Sequence, residues 1–131
     1  MASPSSLAEG PWRTVLLVVE DRALSDVVCE ALVDAGHVVT QVEDALAARA
    51  AVVAQRFDSA IVDVDTRARD GLALIARLRT EAPAMTLIAL LPCGGLSGHA
   101  RPPLYHVALE KPARLSAILS AVNVAHAAIR N

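Results

Sequence analysis

Nowhere does this sequence hold an apolar run approaching the roughly 18 to 20 residues that a membrane-spanning helix requires. Its 54% hydrophobic content is therefore expected inside a soluble fold, with no membrane partner. Cysteine is scarce: Cys29 and Cys93 show neither the dense, even spacing of a disulfide scaffold nor the paired spacing of a zinc site, which fits a reducing cytoplasm. The four histidines, at 37, 99, 106 and 126, have no metal-ligand spacing. Nor is there a basic cluster: twelve Lys and Arg are scattered against fourteen Asp and Glu, for a net charge of −2. That removes the electrostatic footprint of a nucleic-acid binder, so no nucleic-acid partner is expected. Residues 1–12 lack the basic start and apolar centre of a secretory signal and read as a flexible tail. The rest, 13–130, is enough chain for one well-packed core and too little for two.

What is present is an alternation of two periodicities. Val15 to Val19 is a run of five apolar residues, mostly β-branched, as expected of a strand covered by helices on both faces. From Ala23 to Ala35, Leu24, Val27, Val28, Ala31 and Leu32 recur at helical spacing, and Gly36 stands where a left-handed cap belongs. His37 to Val42 is a second β-branched run. Asp44 is placed to cap a helix from Ala45 to Gln55, whose Ala-rich face says little about its orientation. A third strand runs from Ser59 to Asp65. Asp70-Gly71 then reads as a turn before a helix carrying Leu74, Ile75 and Leu78, which Pro83 stops. Thr86 to Leu91 and Val107 to Leu109 are two further strands, and Leu115, Ile118, Leu119, Val122 and Ile129 mark a last helix. Strands alternating with helices imply right-handed β-α-β units and an open, doubly wound parallel α/β sheet.

Ligands of such sheets bind outside the carboxyl ends of the strands. Glu20, Asp21 and Asp63 fall there, and so does Lys111, just past the last strand. Acidic residues in loops are common, and each alone is most simply a solvated side chain; three with a lysine at one edge are a constellation. Carboxylates gathered together repel one another unless a cation sits among them. All the donors are oxygens, which suits Mg²⁺ or Mn²⁺ rather than zinc. The backbone carbonyl of Asp65 and waters would complete the shell. Asp63 is then placed to act as a nucleophile toward a phosphoryl group, with Lys111 offsetting the charge on the transferred oxygens. Lys111-Pro112 directly after a strand is a constrained turn that allows a cis bond.

Val15-Leu-Leu-Val-Val-Glu-Asp21, Phe57-Asp-Ser-Ala-Ile-Val-Asp63, Asp70-Gly71-Leu72 and Lys111-Pro112 together resemble the receiver domain of bacterial two-component response regulators, over about Thr14 to Ala128. The resemblance implies a flavodoxin-like five-stranded parallel sheet of order 2-1-3-4-5. It also implies that Asp63 accepts a phosphoryl group from a histidine kinase or histidine phosphotransfer protein, with Glu20 and Asp21 on the metal and Lys111 on the phosphoryl oxygens. Such a domain is a phosphoacceptor with autocatalytic phosphoryl transfer at most and not a turnover enzyme.

Several positions depart from that family's pattern. The hydroxyl expected at the end of the fourth strand is replaced by Leu91 or, with a slip of one residue, Pro92, and neither can donate a hydrogen bond. The aromatic switch residue of the fifth strand falls at Ala108, and Tyr105 is out of register. Arg67 stands in place of a common proline, and Asp65 adds a negative charge. Residues 92–104 hold three glycines and three prolines, which predicts a loop and a fourth helix absent or much shortened.

The chain ends at Asn131, soon after the last helix, so the expected output is contact with another protein or drainage of phosphate from a kinase. The apolar edge of the last strand and helix offers a surface for a homodimer. Two other readings compete with a working phosphoacceptor. A degenerate receiver binding proteins independently of phosphorylation is supported by the missing hydroxyl and aromatic, but leaves the retained acidic cluster and lysine unexplained. A flavin carrier is disfavoured by acids where a flavin phosphate needs Gly, Ser or Thr.

Overall fold

The computed structural model describes residues 13–64, 70–94 and 104–130, with Asp70 and residues 124–130 described by their backbone alone. The expected tail, the Asp65 carbonyl, Arg67, His99, the side chain of His126 and most of the expected 92–104 loop lie outside the described residues.

Five strands, β1 (Thr14–Val18), β2 (Val38–Val42), β3 (Ser59–Asp63), β4 (Thr86–Leu91) and β5 (Val107–Glu110), form one parallel sheet in the order β2-β1-β3-β4-β5. Among the described residues there are four helices: α1 (Arg22–Asp34), α2 (Ala45–Ala54), α3 (Asp70–Glu81) and α4 (Leu115–Arg130). This is the flavodoxin-like, doubly wound arrangement the sequence predicts. At the two ends of the expected 92–104 loop, Pro92 to Gly94 and Leu104 to His106 are not helical.

The apolar runs are strands because both of their faces are covered. In β1, Val15 and Leu17, with Val19 just beyond, pack toward one layer with Val28 and Leu32 of α1 and Ile118 and Val122 of α4. Leu16 and Val18 turn to the other layer, with Ala48 of α2 and Leu74, Ile75 and Leu78 of α3. Leu16, Leu17, Ile61 and Ile88 are fully buried. Each such side chain contributes about 1.5–3 kcal/mol of burial.

Local signals close the elements as the sequence leads one to expect. Asp44 caps α2, accepting the Ala47 amide hydrogen at 2.8 Å. At the end of α1, Gly36 takes φ +97°, its N–H bonds to the Val33 carbonyl, and the His37 N–H bonds to the Leu32 carbonyl. That pair of bonds is the Schellman arrangement, and glycine adopts its left-handed residue without a Cβ penalty.

The strand starts are tied by side chains that local pattern does not reveal. Asp58 accepts from both the main-chain N–H and the hydroxyl of Thr14, at 2.8 and 3.0 Å, joining the entries of β1 and β3. His37 accepts the Arg13 amide hydrogen through Nδ1 at 2.8 Å, and His106 accepts that of Leu87 through Nδ1 at 2.9 Å. In both cases the ring proton must lie on Nε2, since a main-chain N–H can only donate. Arg79 of α3 approaches Nε2 of His106 to 3.1 Å and directs its hydrogen to the Leu104 carbonyl at 3.0 Å.

Candidate phosphoacceptor site

Parallel strands deliver their last residues to one edge, and the sheet register states which residues meet there. Asp63 is the last residue of β3 and pairs with Leu90 of β4. One step on, the Val64 N–H bonds to the Leu90 carbonyl at 2.8 Å. β5 is held against β4 in the same way, with Leu91 opposite Glu110 and the Lys111 N–H bonded to the Leu91 carbonyl at 2.8 Å. These bonds fix where the Lys111 side chain starts, and it crosses to Asp63, with Nζ 2.6 Å from Oδ1. The Asp63 side chain is 12% exposed and that of Lys111 30%. In a partly dry setting of this kind a charge-assisted hydrogen bond is stronger than a neutral one. The other carboxylate oxygen, Oδ2, has no partner among the described residues. The Lys111-Pro112 bond is cis.

On β1, the Val19 N–H continues the ladder to the Val42 carbonyl at 3.2 Å, and Glu20 and Asp21 follow it into solvent. Asp21 has a second duty that its motif does not announce: it is the N-cap of α1, with Oδ1 accepting the Leu24 amide hydrogen at 3.2 Å. Among the described residues no three His, Cys, Asp or Glu side chains are grouped closely enough to hold a metal ion between them. The donor set nonetheless suits a hard divalent cation. It consists of oxygens only, Glu20 and Asp21 are open to water, and Mg²⁺ keeps several waters while taking one or two carboxylates.

Gly71 is the residue whose importance the sequence conceals. It is the second residue of α3 rather than a turn before it, and a Cβ there would lie 2.9 Å from the Val64 Cα and 3.1 Å from the Asp63 carbonyl oxygen. The helix can press against the end of β3 only because that atom is missing. Asp70-Gly71 could have disclosed this, since glycine also marks close backbone approach.

Beside the Asp63–Lys111 pair opens a cavity of about 410 Å³, walled by Asp21, Leu24, Leu90, Cys93, Lys111 and Ile118 among others. Cys93 is exposed there, whereas Cys29 of α1 is half-buried, and burial followed by the nearby Asp26 carboxylate pushes its thiol pKa up. The positions that lack the expected hydroxyl and ring lie on β4 and β5, on the same face of the sheet. Leu91 is buried in the layer shared with α2 and α3, while Ala108 is exposed on β5. Tyr105, before β5, packs against that same layer and does not occupy the position of Ala108.

Residues 15–123 match the family described as the response regulator receiver domain. The chain belongs to that family. Among curated proteins, this receiver is similar to the response regulator protein FleR of Pseudomonas aeruginosa, with 32% identity over 82 residues, 63% of this chain and 17% of the relative. Its fold matches NtrX from Brucella abortus (TM-score 0.77, 20% identity, 90% of this chain and 27% of that one). It also matches a putative response regulator from Chloroflexus aurantiacus (TM-score 0.76, 22% identity, 88% and 98%) and a CheY-like receiver domain protein from Methanospirillum hungatei (TM-score 0.77, 18% identity, 91% and 97%). The receiver thus spans about a sixth of FleR and about a quarter of NtrX. No helix among its described residues is long and apolar enough to cross a membrane.

Proposed function

We propose that this receiver takes a phosphoryl group onto Asp63 from a histidine kinase or histidine phosphotransfer protein and signals through contact with another protein. The observation that carries this is the unequal state of the two Asp63 oxygens: Oδ1 is held by Lys111 at 2.6 Å, and Oδ2 has no partner among the described residues. Oδ2 is the nucleophile. As the bond from phosphorus to Oδ2 forms, the bond from phosphorus to the donor's imidazole nitrogen breaks, and the imidazole leaves with the bonding pair and takes up a proton. Asp63 then carries an acyl phosphate. Lys111, fixed by its own main-chain bond to β4, donates to the phosphoryl oxygens as negative charge gathers on them.

Glu20, Asp21 and Asp63 would hold Mg²⁺ or Mn²⁺, with the Asp65 carbonyl as a further donor, and when bound the ion neutralises charge on the phosphoryl oxygens. Two free thiols, at Cys29 and Cys93, support a cytoplasmic setting, and the scattered basic residues favour a protein partner over nucleic acid.

The reading is tested by incubating the protein with Mg²⁺ and acetyl phosphate. The expected product is a base-labile phosphate that is absent from Asp63→Asn. Absence of label from both acetyl phosphate and a cognate kinase would overturn it and leave the domain a phosphorylation-independent binding module.

A further inference from the structure

α2 departs from the rule that a surface helix turns one apolar stripe to the core and a polar face to water. Nine of its ten residues are apolar, the exception being Arg49. Its inward side is met by β1 and α3, with Ala48 buried and Ala45, Ala51 and Val52 packed against that layer. The opposite side carries Leu46, 78% exposed, and Val53, 85% exposed, with the exposed Ala50 between them. Spaced by four and then three residues, these three form a straight seam along one face of the helix. Arg49 does not screen it, because its guanidinium is turned toward α3 and bonded to Glu81 at 3.0 Å.

The ends of the seam carry opposite charges. Glu43 precedes the Asp44 cap at the amino end, and Arg56 follows the helix at the carboxyl end. Glu43 is exposed and among the described residues has only a long contact with Arg22, at 3.6 Å, and Arg56 is exposed. A face that is acidic at one end, apolar in the middle and basic at the other is complementary to itself turned through half a circle. We propose that α2 docks antiparallel against α2 of a second copy of this chain, forming a twofold-symmetric dimer. The operation that sets Leu46 against Val53 of the second copy also brings the end of the helix that carries Glu43 to the end of its partner that carries Arg56. The small Ala50 lies near the axis, where the two helices approach most closely.

A second copy is favoured over an unrelated protein because an isologous contact must be complementary to itself, and this face is. α1 shows the contrast. Its exposed Val27 and Val33 are accompanied by the exposed acids Asp26, Glu30 and Asp34, which would repel their own copies. A seam of three short side chains buries little area, so the dimer belongs to the weak, transient class. It makes no use of Asp63 and does not depend on the phosphoacceptor reading.

The test is sedimentation equilibrium of the full chain from micromolar to millimolar concentration, with a reducing agent present to keep Cys93 from cross-linking. The average mass is expected to rise toward that of a dimer. Val53→Glu is expected to weaken association about tenfold or more, and Asp63→Asn to leave it unchanged. Glu43→Arg and Arg56→Glu should each weaken it, and together restore it. Glu43→Arg also breaks the contact with Arg22, which the double variant cannot repair, so restoration reports the contact between copies. Far-UV circular dichroism confirms that each variant is folded, as expected for changes at exposed positions. A chain that stays monomeric to millimolar concentration, a Val53→Glu protein that dimerises like the parent, or a double swap no better than its single changes would overturn the proposal.

Discussion

Lys111 grips Asp63 from the far side of β4: its side chain reaches Oδ1 at 2.6 Å while its main-chain N–H is bonded to the Leu91 carbonyl at 2.8 Å. The ammonium is therefore held in place before any phosphoryl group arrives. Lys111→Met, similar in length and without charge, is expected to slow labelling of Asp63 by acetyl phosphate about 10²-fold, the loss typical of a preorganised donor. The initial rate of label incorporation, with the fold checked by circular dichroism, measures this.

Asp21 joins two roles that conservative substitution can separate. Asn caps helices as well as Asp does, so Asp21→Asn should keep the bond from Leu24 and the stability while losing negative charge at the cation site. Asp21→Ala should lose both, at about 1 kcal/mol of stability. Glu20→Ala, at an exposed position without a capping role, should weaken the response to Mg²⁺ and leave thermal unfolding unchanged. Titration with Mg²⁺ and thermal melts of the three variants check the set.

Gly71→Ala adds a methyl group 2.9 Å from the Val64 backbone, and backbone cannot rotate aside as a side chain can. A cost of about 1–3 kcal/mol is expected, as for overpacking in a core. Because the displaced atoms adjoin Asp63, the labelling rate should fall as well. Chemical denaturation and acetyl phosphate labelling of one preparation test both.

His37 and His106 make stability depend on pH. Burial, followed by the charge of Arg13 for His37 and of Arg79 for His106, holds both pKa values below the ordinary histidine value; for His37 the Asp58 carboxylate pulls weakly the other way. The unfolded chain therefore binds protons that the folded chain refuses. Stability is complete above about pH 6.5, the unfolded histidine value, and is lost as pH falls below it toward the folded pKa. One proton's difference sets a ceiling of about 1.4 kcal/mol per pH unit on the slope from His37, and solvent screening makes the contribution of the more exposed His106 smaller. Protonation also turns each Nδ1 into a donor facing a main-chain N–H. Urea unfolding from pH 7.5 to 5 should show the decline, and His37→Gln should flatten it.

Asp58→Ala removes the acceptor shared by the Thr14 amide and hydroxyl. An unpaired, partly buried amide costs about 1–3 kcal/mol. Asp58→Asn keeps the acceptor oxygen and should recover most of that loss, as read from urea midpoints.

How much of this was legible in the sequence depends on how local the cause is. Val15 to Val19 and Thr86 to Leu91 read correctly as strands because burial on both faces leaves a continuous apolar run, and Asp44 and Gly36 announced their helix ends by chemistry confined to one turn. The third strand closes at Asp63, with the Val64 N–H still bonded to the Leu90 carbonyl, and the expected end at Asp65 lies outside the described residues. The facts missed are tertiary. Asp58 with Thr14 and His106 with Leu87 meet only when strands are laid side by side, and Gly71 meets Val64 only when α3 folds back onto the end of β3. One signal was available: His37 and His106 each stand immediately before a valine that opens a strand. The outward seam of α2 escaped because alanine on every side gives no periodicity from which to read a face.

The anchoring of β5 bears on how the domain could be re-engineered. His106 is tied to Leu87 through both its N–H and its ring, Arg79 grips Leu104, and Lys111 is bonded to Leu91. Among the described residues, these bonds set the alignment of β5 and with it the distance from Lys111 to Asp63. Loosening the strand at its start, at His106 or Arg79, should therefore be felt at the phosphoacceptor through Lys111, which lets the site be tuned without touching it.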